Sequence, residues 1–294
     1  MMTHQSPAAA KRRLHSSLPG LKPLLLALAA QCLLLSPVHA DSTDEIARFL
    51  NGQACLRCDL RYVSAPGVRL KEIDLRGAYM FNINLLESDL RGARLESANL
   101  EMANLERSDL SRVQLDRATL AGASFQGATM IGSTMLHLVA HDANFDAADL
   151  SDADLTTADL SRSSMVFVFA ENARFMSATL RSVNLHHARM RGARFIDADL
   201  TNASMESAWL QRSNFQRARL VKVNLSDAKL ANANLSGASL NGAVLRRADL
   251  TGANLTNADL RNTDMTGAEM GSAVLEGART CGATLHDGSR AAPC

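Results

Sequence analysis

The chain has 294 residues and a nearly even charge balance, 31 Lys and Arg against 30 Asp and Glu, for a net charge of +1. Such a balance argues against a continuously acidic surface. Only 4% of the residues are aromatic while 47% are hydrophobic, which is the composition of a core built from Leu and Ala.

Residues 1–40 read as a secretory signal. Lys11, Arg12, Arg13 and Lys22 give a basic start, Leu24 to Leu35 an apolar run, and Val38-His39-Ala40 a small-residue cleavage site before Asp41. The run is short for a membrane span. An uncleaved anchor, a lipoprotein at Cys32 (preceded by Gln31) and a twin-arginine signal at Arg12-Arg13 are weaker readings of the same stretch. Its removal leaves 27 basic against 30 acidic residues. No stable membrane insertion is expected after cleavage, and the location expected is the periplasm or the exterior.

Residues 41–56 follow as an expected capping helix. Ser42-Thr43-Asp44-Glu45 has the pattern of a capping box, Ile46, Phe49 and Leu50 share one helical stripe, and Asn51-Gly52 supplies a stop.

Residues 57–288 are dominated by a period of five. A large apolar residue recurs without slipping, from Leu75, Met80, Leu85 and Leu90 to Leu260, Met265, Met270 and Leu275. Two positions before each centre sits a small residue, as in Ala148-Asp149-Leu150 and Ala253-Asn254-Leu255. A period of five fits neither a helix nor a plain strand. The chain must turn once per unit with both residues facing inward, and a fixed short repeat marks an all-β solenoid. Glycines collect two positions after a centre, as at Gly77 and Gly252, with Asn202 and Asn257 in the same slot; this predicts a turn with positive φ there. By this register Leu200 faces inward and Thr201 faces water. Residues 289–294 are left as a C-terminal tail.

These residues resemble the pentapeptide-repeat family over most of the chain. The resemblance implies a right-handed quadrilateral β-helix, one unit per face, with about 20 residues per coil, roughly ten to eleven coils and a rod of roughly 50 Å. It also implies an N-terminal lid with a Cys-x-x-Cys, matched by Cys55-Leu56-Arg57-Cys58. In register both sulfurs point inward, as a possible disulfide or a buried thiol pair. A redox centre would want a thioredoxin-like setting, and a zinc site a second ligand pair nearby. An even number of cysteines remains after export, which permits disulfides; whether Cys281 and Cys294 pair is left open.

Some members of the family imitate DNA and act on a topoisomerase. The charge balance and the export signal disfavour that alternative, and no nucleic-acid partner is expected. The carboxylates repeat with the unit, so no catalytic, cofactor-binding or metal-ligating residue is expected. His137, His141 and Asp142 hint only weakly at a metal, and His186-His187 reads as a solvated pair. The function expected is therefore a non-enzymatic scaffold or protein-binding module whose partner is unidentified.

Two features could carry binding. Acids crowd between Asp142 and Asp159 without any Lys or Arg, and bases crowd between Arg174 and Lys222. The acids could serve turn backbones; the basic band could dock an acidic partner or polymer. In addition, Leu138 and Ala140, and again Val168 and Ala170, exchange the large and small slots, with apolar residues at neighbouring outward positions. With 20 residues per coil, Phe169, Arg189, Trp209 and Lys229 form one outward column, with Phe167 over His187 in the next. Aromatic faces alternating with cations suit cation–π contact, so these six residues are a possible partner surface. Packing of a slightly bulged coil would also account for them.

Overall fold

The computed structural model describes residues 40–294. Within them every unit makes the same turn. The residue two after each centre has φ between 53° and 73° in all 46 units from Arg57 to Gly282, and only 13 of these are Gly. The corner geometry thus comes from the repeat and is imposed on Arg, Asp, Phe and Thr alike. In the unit starting at Leu75, Gly77 has φ 67° and the Ala78 N–H donates to the Leu75 carbonyl at 3.0 Å. Arg76 has negative φ, so the corner is a type II turn.

Four such corners bring the chain back over itself. Parallel bridges join residues 20 apart on four ladders, from Asp59–Tyr79 through Asp264–Thr284. Within them the Leu75 N–H donates to the Arg94 carbonyl at 2.8 Å, and the Asn99 N–H to the Ala78 carbonyl at 2.9 Å. The N–H just after each centre takes no part in the ladder. The Asp or Asn just before the centre accepts it instead, as in Glu101 N–H to Asn99 Oδ1 at 2.9 Å and Ser151 N–H to Asp149 Oδ1 at 3.0 Å. This is the reason for the acidic or amide residue in the A-(D/N)-L pattern, because a buried or half-buried N–H without a partner is costly.

The centres and their small neighbours fill the interior, nearly all of them fully buried. Each large aliphatic centre contributes about 1.5–3 kcal/mol on burial. Phe centres stack on one another, Phe125 on Phe145 at 5.2 Å, Phe175 on Phe195 at 5.0 Å and Phe195 on Phe215 at 4.6 Å, all close to parallel. The two runs lie on opposite faces and at different heights, so Phe faces Leu or Met across the core. At the two slot exchanges, Leu138, Ala140, Val168 and Ala170 are all buried. The ladder runs through them unbroken, Val139 pairing with Thr119 and Asp159, and Phe169 with Asp149 and Arg189. An exchange of large for small conserves volume, and the coil does not bulge.

Residues 41–294 form one compact unit, and its two ends differ from the expected boundaries. The helix α1 covers Ala40–Leu50, so Ser42 lies within it. Glu45 turns instead to the first coil, its carboxylate accepting the Asp59 N–H at 2.7 Å. Phe49 is fully buried against the first coils. At the far end, residues 289–294 do not trail as a tail. Arg290 pairs antiparallel with Thr284, the Gly282 N–H donates to Ala292 at 2.9 Å, and Cys281 is bonded to Cys294. This return covers part of the last coil and leaves Val274 and Leu275 exposed.

Thr201 corrects a further expectation. It lies on the outer side of the turn but is only 6% exposed. Its hydroxyl donates to Asp199 Oδ1 at 2.5 Å and accepts from Arg219 Nε at 3.1 Å. Position after a centre is therefore outward without being free.

Of the described helices, none is long and apolar enough to cross a membrane. The secretory signal of residues 1–40 and its cleavage site lie outside the described residues, apart from Ala40 at the start of α1.

Candidate functional site: an outward column of aromatic and cationic side chains

The strands that bury Val168, Ala188, Ala208 and Ala228 turn their neighbours outward. Phe169, Arg189, Trp209 and Lys229 are consecutive rungs of one ladder. Their side chains interleave: the Arg189 guanidinium lies 5.1 Å from the Phe169 ring and 5.2 Å from the Trp209 ring, and the Lys229 ammonium lies 4.6 Å from Trp209. Trp209 thus holds a cation over each face of its indole. On the other side of the buried Val168–Ala188 pair, Phe167 stacks on His187 at 5.0 Å with the rings 7° from parallel. The four column residues come together, and Phe167 and His187 pair with each other beside them.

Phe167, Phe169 and Trp209 stay 56%, 38% and 44% exposed. Phe167 and His187 also sit at corners, with φ 57° and 56°, a region that bulky residues seldom adopt. His186, beside them, holds Ser204 Oγ through Nε2 at 2.7 Å.

Charge in this band is unusual. Elsewhere most arginines have an acid partner, either at their own corner, as Arg91 with Asp89, or one coil away, as Arg162 with Asp142 and Arg247 with Asp227. Of the eight cations from Arg189 to Lys229, only Arg217 and Arg219 are paired, with Asp197 and Asp199. Among the described residues, Arg189, Arg191, Arg194, Arg212, Lys222 and Lys229 lie within salt-bridge distance of no carboxylate. Arg191, Trp209, Gln211, Arg212 and Asn232, with Glu171 at one lip, line a shallow hollow of about 330 Å³ beside the column.

The acidic belt is occupied by turns. Asp149, Asp154 and Asp159 each accept the N–H two residues on, and Asp146 accepts from Ser164 Oγ and the Val166 N–H. Asp142 is held first by Arg162 and then by His141, which together push its carboxyl down to about 2. His141 faces Asp142 at 3.0 Å, whereas His137 faces Thr157 at 2.7 Å. The histidines do not converge, and among the described residues no group of three or more His, Cys, Asp or Glu side chains is placed to hold a metal ion. Cys55 and Cys58 are buried and joined as a disulfide, with Cα atoms 5.5 Å apart.

A second group of outward aromatics was not singled out from the sequence. Near the N-terminal coils Tyr62 and Tyr79 are exposed, Tyr62 lies edge-on to the half-buried Phe81 at 5.5 Å, and Met102 is exposed one coil beyond Asn82. Tyr79 and Phe81 flank the centre Met80, and Tyr62 is two positions after Leu60; a scan of outward slots for large apolar residues finds them.

The pentapeptide-repeat family model matches in eight copies that run between residues 69 and 279. The chain belongs to this family, whose members form right-handed quadrilateral β-helices. Among solved structures it is similar to HetL, a pentapeptide-repeat protein involved in heterocyst differentiation regulation in the cyanobacterium Nostoc sp. strain PCC 7120. Identity there is 26%, over 84% of this chain and 97% of that one, with a TM-score of 0.33. It is similar also to a pentapeptide-repeat protein of the Arabidopsis thaliana thylakoid lumen, at 33% identity over 32% of this chain and 61% of that one, TM-score 0.26. A third similar structure is QnrB1, a plasmid-mediated fluoroquinolone resistance protein, at 18% identity over 60% and 86%, TM-score 0.36. None of the curated proteins matches.

Proposed function

We propose that this protein is an exported, non-enzymatic scaffold that holds a protein partner on the surface formed by Phe167, Phe169, His187, Arg189, Trp209 and Lys229. The observation that carries the reading is the interleaved column itself. Three aromatic side chains remain exposed at one place on a chain with 4% aromatic content, and Trp and Arg are the residues that most often dominate interfaces. Clusters of this kind with a polar rim are typical interaction sites. The carboxylates support the non-enzymatic part, since they are spread along the coils and engaged by turn N–H groups. Export is supported by the N-terminal sequence pattern and by a disulfide at each end of the coil stack, a pairing that persists in oxidising compartments. Imitation of DNA is disfavoured by the unpaired cations Arg189, Arg191, Arg212 and Lys229 on and beside this surface.

The test compares partner capture from the exported fraction by the native chain, by Trp209→Ala and by Tyr79→Ala as an exposed control. Trp209→Ala should lose the captured protein while its melting temperature stays within about a degree of the native value. Capture that survives in Trp209→Ala would remove the surface from the proposal. Sequencing of the exported protein should begin at Asp41.

A further inference from the structure

We infer that the partner presents a short, acidic, extended peptide segment, bound with its carboxylates on Arg189, Arg191, Arg212 and Lys229; this rests on the docking surface proposed above. The cations are the first ground. They lack the acid partners that serve most arginines of the chain, so a carboxylate arriving there displaces no existing pair. Arg189 and Lys229 are also held in place before binding, because Arg189 lies between two rings and Lys229 lies on Trp209. Pre-positioned side chains lose less freedom on binding.

Geometry narrows the ligand. Arg189 and Lys229 are two coils apart, about 10 Å at the usual strand spacing. Carboxylates at positions i and i+2 of a strand laid along the coil stack point to the same side about 7 Å apart, and the flexible ends of the side chains close the difference. Between them Gln211 lines the hollow and adds a polar group beside the cations.

The edges of the site set its length. Along the same ladder the column ends in Asp149 below Phe169 and in Asp249 above Lys229. These acids repel a continuous polyanion, whose binding depends on many phosphate contacts in a row. The cationic stretch accommodates a segment of four or five residues and then stops.

Trp209 is the only Trp in the chain, so its emission reports on the site directly. The full chain is titrated with a short synthetic peptide carrying two glutamates two positions apart, and with the same peptide carrying glutamines. The glutamate peptide should give a saturable change in emission that weakens in 0.5 M salt; the glutamine peptide should give none. Arg191→Gln with Arg212→Gln should weaken the glutamate peptide about tenfold, the loss of two exposed charge contacts together. Arg112→Gln with Arg117→Gln, unpaired cations outside the band, should leave it unchanged. Equal binding of both peptides, or a double variant at positions 191 and 212 that binds as the native chain does, would overturn the inference. So would tighter saturable binding of inorganic polyphosphate or of phosphatidylglycerol vesicles. A captured protein that is lost with Trp209→Ala but kept by the double arginine variant would also overturn it, while leaving the docking surface intact.

Discussion

Two aromatic columns run through the same few coils, one inside and one outside. Inside, Phe175, Phe195 and Phe215 stack like on like at 4.6–5.0 Å and are fully buried. Outside, Phe169, Arg189, Trp209 and Lys229 alternate aromatic and cation. The same 20-residue register generates both. The inner column can be aromatic throughout because ring faces need only each other and Leu or Met across the core. An all-aromatic outer column would be an open apolar strip. Interposed cations keep the surface wet and charged while the rings hold those cations in order. Burial thus supplies stability in one column, and ordered exposure supplies the surface proposed for binding in the other.

The comparison breaks if the two columns respond alike to truncation. Leu200→Asp should have the largest effect, because it places an unpaired charge among buried centres, and Phe195→Ala should cost about 3–5 kcal/mol. Phe169→Ala and Asn202→Asp, both outward, should each change stability by about 0.5 kcal/mol or less. Thermal or denaturant unfolding of the four variants decides this, and equal losses at Phe195 and Phe169 would erase the inside–outside distinction. Trp209→Ala comes next in size. It should weaken partner capture by about 2 kcal/mol or more, as truncation of an interface anchor does, with its stability change close to that of Phe169→Ala. A large drop in melting temperature instead would mark Trp209 as packing.

The corners sharpen the comparison further. Thr157 has φ 62° and Phe167 φ 57°, a conformation that disfavours L-residues by roughly 1–2 kcal/mol. Thr157→Gly should raise stability by about 1 kcal/mol, less what the Thr157–His137 hydrogen bond contributes. Phe167→Gly should melt no lower than the native chain yet bind the partner more weakly. A residue kept against its backbone preference, whose replacement helps the fold and harms binding, is retained for the surface.

Much of this was legible in the residues. The period of five and its unbroken register predict which side chains point inward, and multiples of 20 predict that Phe169, Arg189, Trp209 and Lys229 stack. The positive-φ corner was legible at Gly77 and Asn202, but the same conformation at Phe167 and Thr157 was not. There the ladder on either side forces the turn over local preference. The shielding of Thr201 was missed because it depends on Asp199 and on Arg219 one coil away. Which arginines lack partners was hidden for the same reason: Arg217 and Arg212 look alike in sequence, and only the coil beneath supplies Asp197 to one of them. Glu45, expected in a capping box, accepts the Asp59 N–H from the first coil, a contact that the sequence did not show.

The smallest expected effect concerns the paired charges that set the band apart. Asp142 is pushed down to about 2 by its hydrogen bonds from Arg162 and then His141. Asp197 and Asp227 are lowered by Arg217 and Arg247 in the same way. A carboxyl that titrates lower in the folded chain than in the unfolded one, where it sits near 3.8, binds fewer protons when folded. Its contribution to stability is therefore complete above about pH 4 and is lost as the pH falls toward 2. All three pairs are exposed, so salt should screen them strongly. Melting temperatures at low salt should be level from pH 7 to 5 as far as these groups are concerned and then fall below pH 4, with a shallower fall in Arg162→Gln. In 1 M salt the native chain and Arg162→Gln should coincide. Arg191→Gln, with no carboxylate to release, should follow the native acid profile at both salt concentrations. An Arg191→Gln profile that tracked Arg162→Gln would mean that Arg191 has an acid partner in the folded chain and is not available to a ligand.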